Sequence, residues 1–149
     1  MTNLREYELD PYEDGPEGHH FSGRSLARDV DAKRTGFGLY ELEPGQSTWP
    51  YHFELGSEEW LFVVEGEITL RTPEGEQTLR TGDIVCFPEG PEGAHAVRND
   101  SNATARFAMP SVDEPTNAAI YPDTQTFALH GPGFEHRAKL GEPVEYWAT

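Results

Sequence analysis

From Gly36 onward the chain is a succession of short runs rich in aromatic and β-branched residues. Each is closed within a few residues by Gly, Pro, Asn or Asp, and none extends into the period-3.6 pattern of a long helix. The connections are a few residues long, too short for the helix-length crossovers that parallel strands need. Strands are predicted at Phe37–Glu43, Thr48–Leu55, Glu59–Glu65, Glu67–Thr72, Glu76–Arg80, Asp83–Phe87, Ala94–Arg98 and Thr104–Met109, with weaker ones at Ala119–Tyr121 and Thr126–Leu129. Thr72-Pro73-Glu74-Gly75 has the Pro and Gly of a tight turn between two alternating runs, so neighbouring strands are expected to pair antiparallel. An all-β sandwich or barrel follows.

With 149 residues, 36% of them hydrophobic and 11% aromatic, one core is expected and a second is not. Residues 1–35 carry several Gly and Pro with no sustained period and read as an irregular arm. Residues 36–130 read as the β-domain, and 131–149 as a tail whose Tyr146 and Trp147 would pack on the barrel or across an interface. Cys86, the sole cysteine, sits in the apolar run DIVCF and reads as a buried thiol; no intrachain disulfide can form.

The formal charge of −16 repels phosphate backbones and anionic lipid, which argues against nucleic acid and membrane surfaces as partners. The sequence has no apolar run of membrane-spanning length, and its start lacks the basic-then-apolar order of a signal peptide, so a cytoplasmic location is expected. Lys33 and Lys139 are the only lysines, a balance that would suit a high-salt cytoplasm or simply serve solubility.

Chemistry concentrates in two stretches. In PGQSTWPYHFELGSEEWLFVVEGE, Pro44 to Glu67, His52 and Glu54 are two apart and share a face if the segment is a strand. Glu59 opens the next apolar run, leaving Trp60, Phe62 and Val64 for the opposite face. In GDIVCFPEGPEGAHAVRN, Gly82 to Asn99, a Pro/Gly-rich loop leads into a strand that begins near His95. Convergence of His52, Glu54, Glu59 and His95 would assemble a metal-type cluster. Alternatively, Glu54 points elsewhere and the polar groups bond one another or water, which requires the carboxyl pair to stay partly protonated. His19 and His20 in the arm read as solvated loop residues, and His130 and His136 as surface or interface residues. Arg71, Arg80, Arg98 and Arg106 read as outer-face side chains, and Tyr40, Trp49, Phe53, Phe62 and Phe107 as packing or mouth residues.

These two stretches resemble the paired motifs of the cupin superfamily. Gly45, His52, Glu54, Glu59 and Gly66 fill the places of the first motif, and the interval Glu59-x6-Gly66 selects Glu59 over Glu58. Gly82, Pro88, Gly90, His95 and Asn99 fill the second, with the interval from Gly90 to His95 two residues longer than usual. The resemblance implies an antiparallel double-stranded β-helix, the jelly-roll or cupin barrel, that holds a divalent metal (Zn, Fe, Mn or Ni) through His52, Glu54, Glu59 and His95. Glu54 replaces the usual second histidine of the first motif. Two carboxylates would cancel a divalent charge, leaving a weaker Lewis acid and favouring metals that accept oxygen ligands.

The family spans oxygenases, isomerases, decarboxylases, storage proteins and effector-sensing domains, so the fold does not choose among activities. The expectation is a metal-dependent oxygenase or isomerase acting on a small oxygen-rich metabolite, with Glu54 or Glu59 as base. The alternatives are a non-catalytic binder of a sugar or metabolite, or a vestigial site. The resemblance also implies a homodimer that covers sheet edges and terminal strands.

Overall fold

The computed structural model describes residues 3–12, 14–112, 114–142 and 145. Among the described residues, thirteen strands run in chain order. They are β1 (Asp10–Tyr12), β2 (Phe21–Ser25), β3 (Thr35–Leu42), β4 (Phe53–Leu55), β5 (Glu59–Glu65), β6 (Glu67–Thr72), β7 (Gly75–Arg80), β8 (Ile84–Phe87), β9 (Ala96–Arg98), β10 (Ala105–Val112), β11 (Asn117–Tyr121), β12 (Thr126–Gly131) and β13 (Phe134–Lys139). A one-turn helix α1 (Leu26–Asp29) and a 3₁₀ turn at Pro91–Gly93 complete the set.

The strands form three sheets, in the orders β1-β2-β3-β10-β5-β8, β13-β12-β11-β4 and β7-β6-β9, and the pairings are antiparallel. The all-β antiparallel architecture expected from the punctuation is present. No helix among the described residues is long and apolar enough to cross a membrane.

Alternation along the strands sorts residues between two cores. Leu42, Leu61, Val63, Ile68, Leu70, Val97 and Phe107 are fully or almost fully buried in the main one. Along β5 the period of two puts Leu61 and Val63 inside while Trp60 and Phe62 stay partly exposed. The back of the six-stranded sheet makes a second, smaller core from Leu39, Val64 and Ala108, covered by Leu4, Tyr7, Leu9, Leu26 and Phe37. The N-terminal segment is therefore a cover for the sheet as well as an arm.

Arg106 ties that cover down. Its guanidinium donates to Glu41 at 2.6 and 3.0 Å and to the carbonyls of Leu4, Arg5 and Tyr7 at 3.0, 2.8 and 3.3 Å. Arg106 is thus mostly buried, in contrast to the solvated outer-face reading. Arg71 and Arg98 remain peripheral and pair with Asp123 and with Glu76 and Asp100. Cys86 is half-buried, with burial pushing its thiol pKa up.

Several boundaries differ from those predicted, each for a local reason. The run Thr48–Leu55 is a strand only over Phe53–Leu55; before it, Ser47 and His52 make isolated bridges to Arg98 and His95. Pro50 interrupts this run and has no N–H to continue a ladder. The N-terminal 35 residues contain β1, β2 and α1, and β2 pairs with β3 from Ser22↔Glu41 to Ser25↔Gly38. The segment after residue 130 contains β13, joined to β12 by the two-residue turn Pro132-Gly133, with Gly133 at a φ of 71°. That turn is a hairpin signal where the sequence reading placed the end of the domain. Tyr146 and Trp147, expected to pack on the barrel or an interface, lie outside the described residues.

Candidate metal centre

His52 and His95 face each other as an isolated antiparallel bridge: His52 N–H donates to His95 O at 3.1 Å, and His95 N–H to His52 O at 2.8 Å. This pairing fixes the separation of the two rings, whose centroids lie 4.8 Å apart. The 3₁₀ turn at Pro91–Gly93 absorbs the longer interval between Gly90 and His95. It is tight: a Cβ on Gly93 would lie 1.8 Å from the Pro88 carbonyl oxygen, so only glycine fits.

Each ring is oriented by a backbone carbonyl two residues earlier. His52 Nδ1 lies 2.8 Å from Pro50 O, and His95 Nδ1 lies 2.9 Å from Gly93 O. A carbonyl only accepts, so the proton sits on both Nδ1 atoms and a neutral ring is left with its lone pair on Nε2. Burial lowers both imidazole pKa values; His95, with His52 as a second cause, is brought down to about 4. Phe87 stacks on the His95 ring at 3.8 Å and 10°. The result is two neutral, pre-aimed nitrogen donors, the form in which histidine binds metal.

Glu59, at the start of β5, places Oε2 3.6 Å from His95 Nε2. The ligand atoms of His52, Glu59 and His95 all lie within 4.8 Å of one another, and these three form the compact metal-type group among the described residues. Glu54 stands beside it, its Oε1 3.6 Å from His52 Nε2, but is not one of the three. With both rings neutral, these contacts are not ion pairs; they are electron-pair donors held close together. Burial, and then the charge of Glu54, pushes the Glu59 carboxyl up to about 7, and burial raises that of Glu54. A buried carboxyl held near neutrality by a second one is the electrostatic situation a cation relieves. Two imidazoles and one carboxylate, with a second carboxylate adjacent, fit a divalent ion.

Asn99 serves structure. It is fully buried and donates Nδ2–H to Leu42 O and Ala103 O, both at 2.8 Å, while its Oδ1 accepts from Ser101 N–H at 2.9 Å and Ser101 Oγ at 2.7 Å.

The group opens into a cavity of about 1050 Å³ between the six-stranded and four-stranded sheets. Tyr40 lies across two glycines: a Cβ on Gly23 would come within 2.8 Å of its ring, and one on Gly38 within 2.1 Å of its hydroxyl. Burial and then the Glu59 charge push the Tyr40 hydroxyl pKa up to about 12. Tyr121 packs on His52 with ring centroids 5.6 Å apart. His19, read from sequence as a solvated loop residue, instead lines the cavity and bonds the Thr48 carbonyl; His130 lines it too, whereas His136 is exposed. Sequence reading missed Tyr121, Arg28, Arg137 and Lys139 as cavity residues. The alternation of β11 and the β12–β13 hairpin was the signal available for three of them.

Residues 38–110 match the family model described as Cupin domain. A solved protein assigned as a sugar phosphate isomerase from Acidithiobacillus ferrooxidans superposes with a TM-score of 0.85 at 21% identity, over 95% of this chain and 91% of that one. A sugar phosphate isomerase of the cupin superfamily from Silicibacter pomeroyi gives 0.84 at 24% identity, over 98% and 97%. The polyketide cyclase RemF of Streptomyces resistomycificus gives 0.62 at 22%, over 76% and 79%. At these identities the similarity establishes the fold. No curated protein matches the sequence.

Proposed function

We propose, from the premise that this chain is a cupin, that it is a metal-dependent enzyme moving a proton within a small oxygen-rich metabolite, an isomerase-type reaction on a sugar or sugar phosphate. One observation carries this reading: His52, Glu59 and His95 present converging donors at the inner end of a cavity large enough for such a molecule. Two neighbours that match nearly the whole chain are both described as sugar phosphate isomerases, which favours proton transfer over oxidation within the family's range.

The residues divide the work. His52, Glu59 and His95 would hold the divalent ion, which when bound supplies a Lewis acid for a substrate oxygen. Glu54, beside the group but outside the compact three, is the base: it takes the proton from the hydroxyl-bearing carbon next to the carbonyl and returns it to the former carbonyl carbon, while the hydroxyl proton passes to the former carbonyl oxygen. Tyr40 and Tyr121 line the same cavity, where they would help position the substrate and exclude water.

The test is solvent exchange in D₂O with metal-loaded protein and a panel of three- to six-carbon aldose and ketose phosphates. Turnover with deuterium incorporation next to the carbonyl is expected, abolished by chelation. Glu54→Gln should retain metal and lose exchange. Turnover that survives metal removal, or wild-type exchange in Glu54→Gln, overturns the assignment.

A further inference from the structure

The wall opposite the metal group carries charge of the opposite sign. Ladder pairing puts Glu54, Ala119, Ala128 and Arg137 in one cross-strand row over β4, β11, β12 and β13, through the pairs Ala119↔Glu54, Ala119↔Ala128 and Ala128↔Arg137. Directly paired residues project to the same face of a sheet, and all four of these line the cavity. The adjacent row, Tyr121, Thr126 and Lys139, does the same. Three strand spacings of about 4.8 Å put the ends of the first row roughly 14 Å apart. Between those ends this row carries only the methyl groups of Ala119 and Ala128, which leaves a path along it from the acidic, metal-binding end to a basic one.

The basic end is set apart from the rest of this acidic molecule. Arg24, Lys33, Arg71, Arg80, Arg98 and Arg106 each pair with a carboxylate away from the cavity, and Arg5 and Arg34 do not line it. Lys139 and Arg28, both cavity-lining, have no carboxylate partner among the described residues, and Arg137 has only Glu135, at 3.0 Å in a largely exposed pair. Such a surface pair is exchanged at little cost for a ligand anion. Tyr121, which packs on the His52 ring, opens the row that ends at Lys139, so one row borders both ends of the cavity. With a formal charge of −16, the protein repels anions except where such a cationic cluster receives them.

We propose that Arg137 and Lys139 of β13, with Arg28 contributed from α1, form an anion subsite. It receives the phosphate or carboxylate terminus of a substrate whose oxygen-bearing reactive end lies at His52, Glu59 and His95. The proposal rests on the isomerase reading for the reactive end and adds to it the polarity of binding and the residues that select a charged substrate. Arg28, Arg137 and Lys139 all lie outside the segment 38–110 that matches the family domain. The selecting end is thus built by the flanking elements α1 and β13.

The experiment is calorimetric titration of manganese-loaded protein with a panel of three- to six-carbon sugar phosphates, the corresponding neutral sugars and the corresponding aldonates. The expected result is binding of a phosphorylated or carboxylated member at least tenfold tighter than its neutral counterpart, weakened by added salt. The phosphate and aldonate arms tell which anion is preferred. In Arg137→Ala/Lys139→Ala, and independently in Arg137→Gln/Lys139→Gln, the preference should fall to within twofold. The manganese-induced thermal shift should stay at the wild-type value, which also verifies folding. Equal binding of charged and neutral members, persistence of the preference in both double variants, or no binding by any member overturns the subsite. Chelation separates the two proposals: turnover that survives it overturns the metal-dependent reading, while loss of the anion preference in the double variants continues to support the subsite.

Discussion

Replacing Glu59 by Gln should make the metal-free protein more stable while removing its response to metal. The carboxyl ionises near 4.5 in the unfolded chain and at about 7 in the folded one, because burial and the charge of Glu54 oppose its ionisation. Below pH 4.5 both states hold the proton and the group contributes nothing. Between 4.5 and 7 the unfolded state releases it while the folded state keeps it, and folding loses stability as pH rises. Above 7 the loss is complete. At about 1.36 kcal/mol per pH unit, that gap corresponds to about 3 kcal/mol.

Gln keeps the shape and removes the ionisation. In EDTA at pH 8, Glu59→Gln should therefore exceed wild type by up to about 3 kcal/mol, a urea midpoint higher by roughly 1–2 M for a slope of about 2 kcal/mol/M. At pH 5 the advantage should shrink below about 1 kcal/mol. The buried neutral imidazoles His52 and His95 destabilise both proteins alike as pH falls below the ordinary histidine range, so they largely cancel in the comparison. Adding a divalent metal should reverse the order, raising wild type and not the variant. An equal advantage at pH 5 and pH 8, or a loss at pH 8, would refute the argument that Glu59 is held ionised against its surroundings.

His95→Ala should abolish the metal-induced thermal shift. In wild type, metal at a hundredfold excess over Kd contributes about 2.7 kcal/mol, readable by differential scanning fluorimetry. Asn99→Ala should cost about 2–4 kcal/mol in urea unfolding, because the Leu42 and Ala103 carbonyls lose their donor; Asn99→Asp should fare no better, since an ionised carboxylate cannot donate. Arg106→Ala should cost about 2–4 kcal/mol and speed limited proteolysis of the segment before Phe21, with Arg106→Lys failing to restore protection because one ammonium cannot reach Glu41 and three carbonyls together.

The strand-rich architecture and most of the metal group were legible in the chain because they rest on short-range regularities. Period-two alternation made β5 a strand with Glu59, Leu61 and Val63 on one face, and Gly/Pro punctuation marked the turns around β6 and β7. The spacing of the two motifs brought His52, Glu59 and His95 forward together, and they are the three that converge. Glu54 was expected as a fourth ligand; its Oε1 lies 3.6 Å from His52 Nε2 but outside the compact three, because its placement depends on side-chain geometry across β4 and β11.

The terminal segments were harder to read. Irregular composition suggested an arm before residue 36, yet Phe21–Ser25 finds a partner in β3, and Arg106, far away in sequence, anchors Leu4 to Tyr7. Propensity cannot register a strand whose stability comes from a ladder already formed by others.

By itself the sequence determined the antiparallel β class, the two motif regions and the identity of the buried donors, because periodicity, turn chemistry and residue type are local properties. Only the tertiary structure decided which nitrogens face inward, how the longer loop still delivers His95 opposite His52, and that cations from α1 and β13 meet the acidic end across one cavity. Those outcomes depend on inter-strand register and on backbone carbonyls brought close by folding, contacts between residues that no sequence interval connects.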